Sequence, residues 1–388
     1  MIDVTLDAKG NGDLLKVDWR SPAAGVAAYQ IDASRLIKRS AEVRDRLHNL
    51  ITAAMKSRAA NQSLTLGCEL KELAKAGYNL RKAIFFAEAG DQEDEGLEAD
   101  DWLQSLNEAV IHVTIDRQIY IPWGLVYDVD PESLLDDPQD ISINKFSNFW
   151  CLKYRLSTLY NRIRDRVVRN PRTTEEARIV KLTNQVAWTK AFLQLSDSEQ
   201  ALAAILFKAD DVSSSKDFES VWKTQKKCLE TDLLYFFGHA NGTALAFEKG
   251  DILTMDDFPE ILRRKPPADR PACMVFLNGC HTAIGNDKDG GFLQATAYGG
   301  FCGFVGTEAA VPDVFALRFA NAFLSQLLYT GLRAIDVMNN IRRDYWPLSL
   351  AYNLSCHPDF HFNPRGVKPP NMLPAPDFSR EAIGSDRV

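Results

Sequence analysis

The 388-residue chain contains no CxxC pair. Its seven cysteines stand apart at 68, 151, 228, 273, 280, 302 and 356, so neither a disulfide framework nor a zinc ribbon is indicated. The opening MIDVTLDAKG has no basic segment followed by an apolar one, so it does not read as a signal peptide. No apolar run approaches the ~18 residues that suggest a membrane span. A polybasic face is missing as well. Lys and Arg number 45 against 52 Asp and Glu, and seven of those acids lie in one stretch, DQEDEGLEADD at 91–101. The rest of the chain is therefore balanced at 45 against 45, which removes the excess of bases that nucleic-acid binding needs to displace counterions. No GxxxxGK[ST] phosphate loop and no internal repeat occur; Gly290-Gly291 alone implies no nucleotide. The expectation is a cytoplasmic protein with reduced thiols and no cofactor, bound to neither nucleic acid nor membrane.

The sequence does have enough apolar residues, 46% of the total, to build a large core. Residues 1–20 alternate as two strands around Gly10-Asn11-Gly12, a strong hairpin signal. Residues 34–88 turn helical with a break near 61–63, and the acidic run follows as a solvated loop. A strand at 111–116 and a second short one at 119–121 end at Pro122-Trp123. From 178 onward the style changes. Four short, nearly continuous apolar runs appear at 179–182, 233–237, 273–277 and 301–305, the pattern of strands buried on both faces of a parallel sheet. Helical periodicity lies between them, including a Ser196/Glu199 capping-box spacing, a Phe218/Val221/Trp222 face, and the amphipathic stretch 314–328 with Phe315, Phe319, Phe323 and Leu327. The fold class is α/β: a mostly parallel sheet flanked by helices, with an N-terminal α+β extension of hairpin, helices and strand pair. The expected division is 1–130 as the N-terminal part, 131–176 as a connector, 177–363 as the α/β domain, and 364–388 as a flexible proline-rich tail.

Sites in open parallel sheets lie beyond the carboxyl ends of the strands. Two consecutive strand ends carry reactive groups in glycine-containing turns: Gly238-His239-Ala240-Asn241-Gly242 and Asn278-Gly279-Cys280-His281-Thr282. A thiolate is a strong nucleophile, and an adjacent imidazole activates it and protonates the leaving group. The two positions are 41 residues apart, one strand–helix–strand step, and become neighbours if the strands are adjacent. His281 follows the nucleophile directly and is a poor base for it, because adjacent side chains diverge. Cys356, His357 and His361 suggest a metal site only superficially. Pro358 disfavours a helix that would align the two histidines, and no metal is expected.

LLYFFGHANG followed by MVFLNGCHTA resembles the His and Cys motifs of the caspase-like (clan CD) cysteine peptidases, and more closely the separase-related CHAT-domain branch. IHVTIDRQIYIPWGLVYD at 111–128, GGFCGFVGTEAAVPDVFALRFANAFLSQLL at 299–328 and the helix from Gly331 to Arg343 are similar to that branch in the same order. The resemblance runs from about residue 30 to 362. It implies a caspase-like sheet, Cys280 as nucleophile, His239 as acid/base, and the backbone N–H groups of Ala240 and Cys280 as the oxyanion hole. The residue after the histidine is commonly glycine in these families, and here it is Ala240. Asn278 stands where relatives that cleave after Arg or Lys carry an Asp. Asp313 matches the acid of separase-like relatives, with Glu308 nearby, so the resemblance implies a pocket for a basic P1 side chain at Asp313. Asp313 is equally placed to cap the helix that begins near Val314.

Three functions follow from these residues. The leading one is a cysteine endopeptidase acting on a protein substrate, held in check until an activating or regulatory protein partner engages it. CHAT domains occur in bacterial defence and regulated-death systems, and such a setting is implied here. The second is a catalytically silent caspase-like scaffold. The third is an acyltransferase or deamidase using the same Cys–His chemistry.

Overall fold

In a computed structural model the described residues are 2–8, 14–21, 25–56, 62–85, 93–105, 110–115, 120–132, 140–160, 177–207, 210–223, 231–258, 273–284, 291–299 and 301–364. The chain divides into two compact units, 1–161 with 346–350 and 162–345 with 351–388. The Gly10–Gly12 turn, the 162–176 segment and the tail beyond 364 lie outside the described residues.

In the first unit, strands β1 (Ile2–Ala8) and β2 (Leu14–Ser21) pair antiparallel, as their alternation predicts. A third strand, β3 (Gly25–Asp32), extends the hairpin along β2. Helices α1 (Ala33–Lys56) and α2 (Gln62–Phe85) follow. The acidic run is not a loop: α3 spans Glu93–Ser105. It forms because Ala99, Asp100 and Leu103 share a buried face, and the charge of Asp100 is met by the Arg81 guanidinium. Strand β4 (Val110–Ile115) runs parallel to β1 on one side and to β5 (Arg155–Tyr160) on the other. The expected strand at 119–121 is not formed by its described residues, Tyr120 and Ile121. Both edges of β4 are already taken, and Pro122 has no N–H to give a ladder. The N-terminal part is thus one five-stranded sheet, β3-β2-β1-β4-β5, rather than a hairpin plus a strand pair. Residues 150–160, assigned from sequence to a connector, supply α4 (Trp150–Lys153) and β5 to it.

The core of this unit is aromatic. Trp19 stacks on Phe85 at 5.0 Å and Trp123 on Trp150 at 6.0 Å. Beneath them lies Asp128, 4% exposed, which accepts hydrogen bonds from Trp150 Nε1, Lys153 Nζ and Tyr154 Oη. Such a carboxylate is tolerated only because every charge around it is paired.

The second unit begins with β6 (Ile179–Thr183), α5 (Gln185–Phe192) and α6 (Asp197–Leu206), the last opened by the predicted Ser196/Glu199 capping box. Next come β7 (Asp210–Val212), α7 (Ser215–Lys223) and β8 (Leu233–Phe237). A small meander of β9 (His239–Ala240), β10 (Ala244–Ala246) and β11 (Ile252–Thr254) precedes β12 (Met274–Asn278). Helix α8 (Gly291–Gly299), β13 (Gly303–Thr307), α9 (Asp313–Tyr329), α10 (Ala334–Asp344) and β14 (Tyr352–Cys356) complete it. The sheet order is β14-β13-β12-β8-β6-β7, parallel throughout except for β14 against β13. All four apolar runs read from the sequence are strands of this sheet, and β8, β12 and β13 are buried at every residue. Helix α9 lays Phe315, Phe319, Phe323 and Leu327 into the core, with Phe319 stacked on Tyr352 at 3.7 Å.

Replacing Asp128 by alanine strands Lys153 and half-frees Arg81, so Asp128→Ala is expected to lower stability by about 3–5 kcal/mol. Chemical denaturation of the full chain against Asp128→Asn, which keeps the acceptor oxygen, measures it.

Candidate active site

Strands β8 and β12 are adjacent and parallel, with Phe237 opposite Asn278. Their continuations, Gly238-His239 and Gly279-Cys280, therefore leave the sheet side by side at its carboxyl edge. Gly238 N–H still reaches Asn278 O at 3.5 Å. A side chain on Gly279 has no room: its Cβ would lie 2.9 Å from both Ala240 Cβ and Gly238 O. That contact also accounts for Ala240. Its methyl group fits because Gly279 faces it without one, so the departure from the usual glycine is absorbed by the neighbouring turn.

The histidine turn is held from two sides. Ala240 and His239 pair with Leu245 and Ala246 of β10, and Asn241 Oδ1 accepts from the N–H groups of Thr243 and Ala244 to fix the reversal. Below it, Asn184 caps α5 through Ala187 N–H and donates to Phe247 O. The His239 side chain is left exposed at the surface of this turn.

The cysteine turn is more deeply set. Cys280 is half-buried and His281 takes φ 60°, a left-handed conformation in which His is enriched among non-glycine residues and which turns the chain sharply after Cys280. Burial pushes the Cys280 thiol above its ordinary range, the Val311 N–H and its own N–H oppose that by pointing at the sulfur, and the Asp313 carboxylate adds to it. Asp313 is half-buried, which raises its carboxyl, while His239 and Lys190 draw it down. Cys280, His239, Asp313 and Lys190 thus share one electrostatic neighbourhood. Asp313 is the first residue of α9, and Pro312, not Asp313, is the N-cap, with no side-chain cap bond.

The remaining sequence-derived candidates sit elsewhere. Asn278 is 2% exposed. Its Nδ2 donates to Tyr235 Oη and to Ala316 O, and its Oδ1 accepts from Tyr352 Oη. Buried and with both amide N–H groups engaged in the core, it ties β12 to β8, α9 and β14. Glu308 is 3% exposed and accepts from Asn353 Nδ2, so it braces β13 against β14 rather than lining a pocket. Cys356 lies in the core against Gly303, where burial raises its thiol, and His357 Nδ1 accepts from Asp359 N–H. Sequence reasoning missed Lys190, the Val311 N–H, and two buried threonines, Thr282 and Thr307, around the cysteine turn. A hydroxyl two residues after the nucleophile was the one visible signal.

A family model described as CHAT domain matches residues 79–348, 270 of the 388 residues. A "Probable protease" of Vitiosangium sp. (strain GDMCC 1.1324) is 29% identical over 157 residues, covering 34% of this chain and 20% of that protein. Two crystal structures of the Saccharomyces cerevisiae separase–securin complex, at 3.0 and 2.6 Å, share the fold with a TM-score of 0.53. They cover 92% of this chain and 30% of the matched chain at 10% and 9% identity. The chain therefore spans less than a third of the length of each of these relatives. At so low an identity the separase likeness is one of fold alone, and that fold is caspase-like. No helix among the described residues is long and apolar enough to cross a membrane.

Asn278→Ala leaves two tyrosine hydroxyls and a buried carbonyl short of a partner. It is expected to cost about 2–3 kcal/mol of stability, as measured by chemical denaturation of the full chain.

Proposed function

The chain belongs to the CHAT domain family, and on that premise we propose that it is a cysteine endopeptidase acting on a protein substrate through Cys280 and His239. The observation that carries this reading is the β8/β12 register, which brings the two turns together at the carboxyl edge of the sheet. His239 takes the thiol proton as Sγ attacks the scissile carbonyl carbon. The oxyanion so formed is met by the N–H groups of Cys280 and Ala240, and a donor of this kind is worth roughly 2.7–4 kcal/mol in the transition state. Collapse breaks the C–N bond, and His239 passes its proton to the departing amine, leaving a thioester on Cys280. Water, deprotonated by His239, attacks that thioester; the C–S bond breaks, the sulfur recovers a proton and the acid product leaves.

Asp313 is the group proposed to receive a basic P1 side chain. It is half-buried and its charge is coupled to both His239 and Cys280, and a guanidinium or ammonium there would neutralise a charge that opposes the thiolate. Substrate binding and nucleophile activation would then be coupled, because the same carboxylate acts on both. In the resting chain burial and Asp313 push the Cys280 thiol up, against the pull of two backbone N–H groups. This supports a protease kept quiet until a substrate or regulatory protein engages it, in keeping with a role in bacterial defence or cell death. The same raised thiol favours a second reading, a silent caspase-like scaffold.

Incubating wild type and Cys280→Ala with a peptide library and candidate partner proteins, then mapping new termini by mass spectrometry, separates the two. Cleavage should fall by about 10⁴-fold or more without the nucleophile. Cleavage that survives in Cys280→Ala sinks the assignment, and none in wild type favours the scaffold. Asp313→Ala should reduce kcat/KM for Arg or Lys at P1 by about 10- to 100-fold relative to neutral P1 residues, the worth of one charged hydrogen bond. An unchanged preference removes Asp313 from the pocket.

A further inference from the structure

The peptide that joins Gly279 to Cys280 is held at one end by two buried hydroxyl groups. Thr307 Oγ1 donates to Gly279 O at 2.6 Å, and Thr282 Oγ1 lies 3.1 Å from the same oxygen. Both threonines are 0% exposed. Thr282 has a single hydroxyl proton and sits closer, at 2.8 Å, to Leu277 O, so Thr307 is the main donor to Gly279. The main chain of Thr307 adds two more ties. Its N–H donates to Thr282 Oγ1 at 3.1 Å, and its carbonyl accepts from Ala283 N–H at 2.9 Å. The end of β13 therefore grips the cysteine turn on both sides of the nucleophile.

This grip has a directional consequence. The only cis peptide bond among the described residues is Trp346–Pro347, so the Gly279–Cys280 peptide is trans. In a trans peptide the C=O and the following N–H point in opposite directions within one plane. Drawing the Gly279 carbonyl toward the buried Thr307 hydroxyl therefore turns the Cys280 N–H the opposite way. That N–H and the Val311 N–H are the donors that face the sulfur.

We propose that Thr307, assisted by Thr282, is a positioning residue that clamps the Gly279 carbonyl and so aims the Cys280 N–H at the nucleophile and at the oxyanion formed there. The oxyanion half of this role rests on the peptidase reading; the orientation of the N–H toward the sulfur does not. Thr307 touches no substrate. The groups coupled electrostatically to the Cys280 thiol are Asp313 on α9 and Tyr352 on β14, and Asp313 is in turn drawn down by His239 after β8 and Lys190 of α5; His281 is the next residue in the chain. None of them is altered by a change at position 307.

The test compares Thr307→Val, which keeps shape and loses the hydroxyl, with Thr307→Ser, which keeps the hydroxyl and loses a methyl group. The rate of Cys280 alkylation by iodoacetamide is followed against pH on the full chain, with Cys280→Ala as the blank and melting temperature as a folding check. In this reaction the thiolate displaces iodide, so no oxyanion forms and the profile reports only the state of the thiol. Thr307→Val is expected to shift the profile to higher pH and slow alkylation about tenfold at neutral pH, the effect of weakening one charge-assisted hydrogen bond. Thr307→Ser should restore the wild-type profile. On any peptide that wild type cleaves, Thr307→Val should also lower kcat by about 10- to 100-fold with KM little changed, since the oxyanion is met only in the transition state. A Thr307→Val profile that superimposes on wild type overturns the proposal, as does a Thr307→Ser profile displaced equally far. Absence of Cys280-dependent cleavage in wild type would instead count against the peptidase reading and leave the alkylation comparison to decide the clamp.

Discussion

The site depends on a pair of buried strands held side by side, β8 and β12, with Phe237 opposite Asn278. Parallel pairing brings both carboxyl ends to one edge of the sheet, and the register decides which residues meet there. A slip of one residue would turn the strand's side chains to the other face of the sheet. The register is reinforced by close packing: Gly279 faces Ala240 with no space for a methyl group of its own. The Asn278 amide closes the arrangement from below by bonding Tyr235 of β8, Tyr352 of β14 and the carbonyl of Ala316. Every residue of β8 and β12 is buried, so moving either strand would open the core as well as the site.

On that frame the chemistry is set by a contest between burial and directed dipoles. Desolvation and the Asp313 carboxylate favour the neutral thiol at Cys280, while two backbone N–H groups favour the thiolate. In the resting chain the first pair prevails. The Asp313 charge is among the groups that raise the thiol, so whatever neutralises it lowers the thiol in turn. The first unit follows the opposite logic. Its buried carboxylate, Asp128, is saturated by donors, and it serves packing.

Much of this was legible in the sequence, and the reason is local. Strands buried on both faces must be apolar throughout, so β6, β8, β12 and β13 announced themselves as short continuous runs. The Ser196/Glu199 box and the Phe315/Phe319/Phe323 stripe are likewise short-range signals, and both elements formed. His239 and Cys280 were visible because a reactive side chain in a glycine turn after such a run is uncommon. Elements whose existence depends on a distant partner were not legible. The acidic run became a helix because its face is buried and Arg81 meets Asp100. The strand expected at 119–121 is not formed by its described residues, Tyr120 and Ile121, because β1 and β5 already occupy the edges of β4. The edge strands β7 and β14 gave no clear signal of their own.

The amino-acid sequence by itself determined the fold class and the place of His239 and Cys280 just after two strands of the sheet, because periodicity and turn chemistry act over a few residues. Only the tertiary structure decided the duties of the surrounding polar groups. Asn278 and Glu308 look like substrate ligands in one dimension and are consumed by the core in three. Asp313, equally a helix cap on paper, acts on the Cys280 thiol through its charge, with Pro312 in the capping position. Thr307 lies 27 residues beyond Cys280 in the chain, yet its hydroxyl holds the Gly279 carbonyl just before Cys280. Hydrogen bonds of that kind are set by which strands become neighbours, and no spacing along the chain encodes them.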